Sequence, residues 1–412
     1  MGERILIIGG GAAGYMAART AAELGAQVTM VEKNERIGRK VMISGKGRCN
    51  LTNYRPDVQE FIQHVPGNGR FLYSALSKFG PLGTMDLFES LGVPLKVERG
   101  NRVFPVSDKA VDIVDAMDHD LRHHGVRRIH DRVRHILTED SHVTGIDCLH
   151  SGEFTGDSVV LATGGKSYPR TGSTGDGYQL ASEVGHTITR LTPSLVPMVS
   201  PDPCCKEMQG LSLRNVSVRF TQKETGKELY SDFGDLLFTH FGVSGPVVLS
   251  ASSYIRNLDQ PVVMSIDLKP ALDVSKLDRR IQRDFQTNLN REFQNSLGKL
   301  LPRKMIPIIV RRSGIPPEKK INQITKEERS NLIRCIKEFT VELTGFRPIS
   351  EAIVTSGGIS TKEIDPHTME SRLVDGLFFA GEVMDVDAYT GGYNLQIAFS
   401  TGHLAGEQAV YH

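Results

Sequence analysis

Ile5-Leu6-Ile7-Ile8 runs directly into Gly9-Gly10-Gly11-Ala12-Ala13-Gly14, and after a helical segment Val28-Thr29-Met30-Val31 ends on Glu32. Four consecutive apolar residues read as a strand buried on both faces, the centre of a parallel sheet. Gly9 permits a tight turn, Gly11 lets the backbone approach a pyrophosphate, and Gly14 lets the next helix lie close to the strand. That helix is predicted over residues 12–24, with Gly25 as its stop. Its first turn, Ala12 and Ala13 included, points unpaired N–H groups and the positive end of the dipole at the phosphates. Glu32 is placed to accept hydrogen bonds from a ribose, and its charge would repel a 2′-phosphate. The strand before, the helix after and the acid at this distance distinguish a dinucleotide site from a chance run of glycines.

Working outward, 412 residues suffice for two or three domains with a substantial core. A formal net charge of +1 steers the chain toward neither nucleic acid nor membrane. Neither a charged leader with a long apolar stretch nor a run of eighteen apolar residues is present, so a soluble cytoplasmic protein without membrane contact is expected. The five cysteines, Cys49, Cys148, Cys204, Cys205 and Cys335, are scattered and form no C-x-x-C, which argues against a disulfide scaffold and against dithiol flavin chemistry. Cys204 and Cys205 read as two unreactive thiols in a loop. His119, His123 and His124 share a helical face, but no Cys or carboxylate cluster completes a metal site there, and none is expected.

Strand and helix patterns alternate through residues 1–195, with a small β-meander predicted over 131–137, 143–149 and 153–160. Leu161-Ala162-Thr163-Gly164-Gly165 is a strand ending on small residues, and Ala162, Thr163 and Gly164 there would let the chain cross close to a dinucleotide. By itself the same run reads equally as an ordinary strand exit. Residues 196–270 carry short β-rich runs such as 216–221 and 262–266, suggesting an antiparallel sheet or small barrel. Residues 271–335 turn helical, with helices predicted over 272–289, 293–301 and 326–339, and read as an insertion. Strand character resumes at 342–346 and 352–355 within a β-rich return over 336–357, and residues 358–412 complete the first domain. The expected class is thus α/β: a dinucleotide-binding Rossmann domain with an inserted β-rich domain that carries a helical insertion.

The final segment separates flavin from nicotinamide. Leu377-Phe378-Phe379-Ala380-Gly381-Glu382 is a second apolar strand followed by Gly-acid, and Gly391-Gly392-Tyr393-Asn394-Leu395-Gln396-Ile397 has the composition of a glycine-led helix. Returned to the first sheet, this segment puts Glu382 near the ribityl or pyrophosphate portion. It puts Gly392, Asn394 and Leu395 at a helix N-terminus facing the flavin ring, whose reduced pyrimidine end the dipole would stabilise.

Further motifs carry a family resemblance. Ile37-Gly38-Arg39-Lys40 followed by Ser44-Gly45-Lys46-Gly47-Arg48-Cys49-Asn50-Leu51-Thr52-Asn53 resembles the signature of the bacterial aminoacetone-oxidase-like, BaiN-like flavoproteins, often labelled NAD(FAD)-utilising dehydrogenases. The likeness extends to Thr171-Gly172-Ser173-Thr174-Gly175-Asp176-Gly177, Phe238 to Pro246, Thr355-Ser356-Gly357-Gly358 and the Gly391 segment, and so spans essentially the whole chain. It implies tightly held FAD in a glutathione-reductase-like domain. Gly9, Gly11, Ala13 and Gly14 would meet the pyrophosphate, and Glu32 and Lys33 the adenosine ribose. Arg39, Lys40, Gly47, Arg48, Cys49 and Asn50 would pass along the phosphates toward the ring. Val133 would offer its backbone to adenine, and Gly381-Glu382 would correspond to a Gly-Asp box with Glu in place of Asp.

No second G-x-G-x-x-G is present, so NAD(P)H is expected at most as a transient reductant. Arg48, His240, Tyr389 and Tyr393 are candidates for handling substrate, with His240 equally readable as a capping residue and the tyrosines as packing aromatics. The resulting expectation is an FAD-dependent oxidoreductase transferring hydride between flavin N5 and a small carbonyl, amine or enone compound. An alternative is a flavin-dependent RNA-modifying or nucleic-acid-binding protein, since residues 271–335 hold 15 Lys/Arg against 7 Asp/Glu, among them Arg311, Arg312, Lys319 and Lys320. A solvated helical surface explains that excess as well, and with only Phe285 and Phe293 there to stack on bases, nucleic acid is the less favoured partner.

Overall fold

The computed structural model describes residues 2–412 apart from Asn257 and Asn288. Arg4–Ile8 is the central strand of a five-stranded parallel sheet. The spatial order is Leu377–Phe379, Ser158–Leu161, Arg4–Ile8, Gln27–Glu32, Arg127–His130. Ile5 to Ile8 are all buried, as a strand covered on both faces requires. The late strand is therefore built into the sheet that the first residues begin, within a unit made of Met1–Ser194 and Pro348–His412.

Two helices of this unit meet backbone to backbone. The first, Ala12–Glu23, is rich in alanine, and the last, Tyr393–Tyr411, carries Gly402 and Gly406 against it. A Cβ on Gly402 would lie 2.3 Å from the Ala13 carbonyl oxygen, and one on Gly406 2.3 Å from that of Ala17. The expected meander forms from Val133–Glu139, His142–Cys148 and Gly152–Thr155, and Ser158–Leu161 then joins the parallel sheet.

The second unit, Leu195–Arg347, holds a seven-stranded antiparallel sheet. Its order is Phe339–Leu343, Val262–Asp267, Ser212–Gln222, Glu228–Thr239, Gly242–Ser244, Met198–Val199, Gly345–Phe346. Helices Val274–Gln286, Ile306–Ser313 and Lys326–Lys337 add Leu277, Ile281, Ile308, Ile309, Leu332 and Ile336 to the same core. No long helix forms over 293–301: only the turn Phe293–Asn295 does, and the helical residues lie later, opened by Pro307 in the first turn. Gly298 and Pro302 disfavour helix where the apolar spacing alone suggested one. Cys204 and Cys205 lie not in a loop but, both buried, in the short helix Pro203–Glu207, capped by Asp202. The return expected as one β segment is divided, since Val354–Ser356 pairs with Thr192–Ser194 in the first unit. Among the described residues no helix is long and apolar enough to cross a membrane.

Gly406→Ala is expected to destabilise the first unit by about 1–3 kcal/mol, because its methyl must displace main chain rather than a flexible side chain. Urea unfolding followed by circular dichroism measures this, and an unchanged midpoint would show that the two helices do not touch there.

Candidate functional site

The glycine turn is packed on one side and open on the other. Gly9 has φ +106°, and a Cβ there would sit 2.6 Å from the Ala162 carbonyl oxygen; one on Gly14 would sit 1.8 Å from that of Gly9. A Cβ on Gly11, by contrast, would meet nothing within 4 Å. The first helix begins after Gly11 without a side-chain cap, so its leading N–H groups face open space with the polarity that a pyrophosphate requires. Ala162 N–H donates to Ile8, which brings Ala162, Thr163 and Gly164 alongside this turn, and Thr163 Oγ1 is buried there without a partner.

Glu32 clamps the same turn. Its Oε2 accepts from Gly10 N–H at 2.6 Å and its Oε1 from Asn34 N–H at 2.8 Å. Only its remaining lone pairs are free to meet a ribose. Lys33 pairs with Asp176 at 2.9 Å and donates to Thr174, drawn there by the acid that opens helix Asp176–Glu183. Arg39 donates to Asn34 Oδ1 at 3.0 Å. Val133 is buried at the start of the meander.

Gly381-Glu382 comes to the first helix as the topology requires. A Cβ on Gly381 would be 2.8 Å from that of Ala13. Glu382 Oε2 meets Lys40 Nζ at 2.7 Å, and its Oε1 accepts from Ser167 Oγ at 3.1 Å and Thr355 N–H at 2.8 Å.

The Gly391-Gly392 turn is held by the loop that follows Cys49. Gly392 has φ +98°, and a Cβ on it would lie 2.3 Å from the Thr52 carbonyl oxygen. Asn53 Nδ2 donates to Gly391 O at 3.0 Å, and Asn50 accepts from Gly392 N–H at 3.0 Å. Asn394 fixes the preceding loop by exchanging two 2.9 Å bonds with Ala388, and Leu395 packs partly buried on the core. No side chain caps this helix either, which leaves a second set of helix-leading N–H groups for a ligand.

Four of the remaining candidates have structural employment. Arg48 pairs with Glu98 and Asp108 and lies over the Phe104 ring at 4.1 Å, while a Cβ on Gly47 would meet nothing within 4 Å. Tyr393 is buried, stacked on His64 at 4.7 Å, and Tyr389 meets the same imidazole edge-on. Cys49 is fully buried, and burial pushes its thiol up to about 12. In the second unit, His240 is exposed on the turn between Glu228–Thr239 and Gly242–Ser244. Asn34, Ser167, Asn53 and Thr355 were not singled out. Asn53 and Thr355 sit inside quoted motifs, whereas Asn34 and Ser167 give no local sign of their partners.

A parallel sheet with two uncapped, glycine-led helix N-termini and an acid closing the first turn defines a dinucleotide-binding domain of the Rossmann class. Residues 3–408 match the HI0933-like protein Rossmann domain, and the chain belongs to that family. It is 33% identical to a 3-dehydro-bile acid delta(4,6)-reductase of Clostridium scindens, over 99% of both chains. It is 32% identical to a ribosomal RNA dihydrouridine synthase of Haemophilus influenzae, over 97% of this chain and 96% of that one. In fold it resembles 3-ketosteroid delta1-dehydrogenase from Sterolibacterium denitrificans, with TM-score 0.55, 13% identity and 99% of each chain covered. The protein is an FAD-dependent oxidoreductase.

Gly11→Ala is expected to fold with its apo melting temperature retained but to bind FAD roughly tenfold or more weakly, since its methyl occupies ligand space. Gly14→Ala, whose methyl strikes main chain, yields no folded flavoprotein. Fluorescence titration of FAD separates the two, and wild-type affinity in Gly11→Ala places the phosphates elsewhere. Cys49 should resist iodoacetamide in the folded protein at mildly alkaline pH, because only the thiolate attacks, and should react once urea exposes it. Mass spectrometry of the alkylated peptide gives the answer.

Proposed function

We propose that the protein reduces a carbon–carbon double bond conjugated to a carbonyl in a small molecule, with a nicotinamide as transient reductant. One observation carries the reading: relatives aligned over nearly the whole chain bear names that denote the same bond chemistry on different molecules. A 3-oxo compound with 4,6-unsaturation is a conjugated dienone. Uridine becomes dihydrouridine by saturating C5=C6, which is conjugated to the C4 carbonyl. Bound FAD supplies hydride chemistry at N5.

The chain's own part is to hold and orient. N–H groups of the first helix take the pyrophosphate, with Ala162 to Gly164 alongside. The Lys40–Glu382 pair fixes Ser167 and Thr355 beside the Gly381 turn. Asn50, Thr52 and Asn53 set the Gly391-Gly392 turn, so that N–H groups of the last helix would be free to hold the flavin portion of bound FAD. The five free thiols fit a reducing, cytoplasmic setting.

An RNA uridine is the second reading, favoured by the 32% relative. Against it, the four cations singled out among the fifteen of the basic block have acidic neighbours: Arg311 meets Glu207, Arg312 Asp202, Lys319 Glu328 and Lys320 Glu292, all within 4 Å. Such pairing weakens the field available for phosphates.

Anaerobic addition of NADH or NADPH is expected to bleach the flavin, and a cyclic enone to restore its colour with one equivalent of saturated product. Recolouring by uridine-containing RNA alone, lost at high salt, supports the second reading instead. If neither restores the colour and an amine bleaches it in place of nicotinamide, the reductase reading fails.

A further inference from the structure

An edge of the first unit carries a cluster that its dinucleotide chemistry does not use. Glu370, Asp375 and His412 bring three donor atoms within 4.8 Å of one another. His412 Nε2 lies 2.9 Å from Glu370 Oε1 and 3.1 Å from Asp375 Oδ1. A ring nitrogen carries at most one hydrogen, and an N–H aims well at one acceptor. Two carboxylate oxygens converging on one imidazole nitrogen are arranged as donors around a shared cation are.

A fourth residue supports the arrangement. His142 Nδ1 lies 3.0 Å from Asp375 Oδ2, the second oxygen of that carboxylate, so a neighbouring imidazole orients it. The main chain fixes these positions independently of any ion. Val143 N–H donates to Asp375 O at 3.0 Å, Asp375 N–H to Ser141 O at 2.8 Å, and Gly376 N–H to Glu370 Oε1 at 3.0 Å. The His412 ring rests edge-on against buried Phe378, with centroids 6.0 Å apart. Glu370 and Asp375 come from one short stretch and His412 follows the last helix, and the Asp375 side chain is 65% exposed, so an ion has a path in.

We propose that Glu370, Asp375 and His412 bind a divalent transition-metal ion of the zinc class, with His142 orienting Asp375 and water completing the shell. One imidazole nitrogen and two carboxylate oxygens suit zinc, whereas calcium and magnesium demand six or more oxygens. The ion braces the end of helix Tyr393–Tyr411 against strand Leu377–Phe379 and the start of His142–Cys148. It thereby stiffens, from the far end, the helix that begins at the Gly391-Gly392 turn.

Calorimetric titration of zinc chloride into the metal-stripped full chain near neutral pH is expected to show about one saturable site of micromolar affinity and a raised melting temperature. His412→Ala and Asp375→Asn should each weaken it by roughly tenfold or more, and His142→Gln by about tenfold, with circular dichroism unchanged. Calcium should not compete. His123→Gln, on the exposed end of helix Ala110–His123, should bind as wild type does. Absence of a saturable site, equal affinity in His412→Ala and Asp375→Asn, or loss of the site in His123→Gln overturns the assignment. The readout is metal on protein, so failure of the proposed reductase chemistry would leave this result untouched.

Discussion

The structure depends on the contact between its first and last helices. Gly402 and Gly406 rest on the carbonyls of Ala13 and Ala17 with no room for a methyl group on either glycine. Such contact brings main chain against main chain and lets dispersion act between them at short range. Once the helices are so placed, the other closures follow. Gly381 comes against Ala13, and its N–H donates to Thr401 Oγ1 on the last helix at 2.9 Å. The uncapped starts of both helices therefore belong to one unit, although they lie at opposite ends of the sequence.

Local features of this arrangement were legible in the residues. The apolar run at Ile5 to Ile8, the glycine turn, the acid at Glu32 and the late strand at Leu377 to Phe379 each follow from periodicity or turn chemistry over a few residues. The spacing also told Gly9 and Gly14, which abut main chain, from Gly11, which faces open space, whereas the approach of Gly392 to the Thr52 carbonyl has no local sign. Helix Ile306–Ser313 escaped because its apolar residues bury against a sheet formed by distant strands, a tertiary effect that overrides weak local preference.

Charged residues show the same limit. The excess of cations over residues 271–335 was a correct count with an incomplete meaning, because Asp202 and Glu207, the partners of Arg312 and Arg311, lie outside that window. Lys33 and Arg48 likewise find Asp176, Glu98 and Asp108 in segments far along the chain. A sequence reveals which residues can carry charge, whereas only the fold decides which charges remain available to a ligand.

Glu382 illustrates how an unusual residue can be explained by reach. A Gly-acid pair at this point suggested direct service to the cofactor, with Glu in place of the commoner Asp as the departure. The carboxylate joins Lys40, the Ser167 hydroxyl and the Thr355 main chain, three groups from three segments. Thr355 Oγ1 in turn accepts from the N–H groups of Lys166 and Ser167 at 2.8 and 3.1 Å. An aspartate on the same backbone is one methylene shorter and cannot hold all three. It would leave the buried Thr355 N–H short of its acceptor, and an unmade hydrogen bond in such a place costs about 1–3 kcal/mol. The longer acid therefore ties the residues after strand Ser158–Leu161 to those after Leu377–Phe379. The same carboxylate thereby shapes the two turns that flank it.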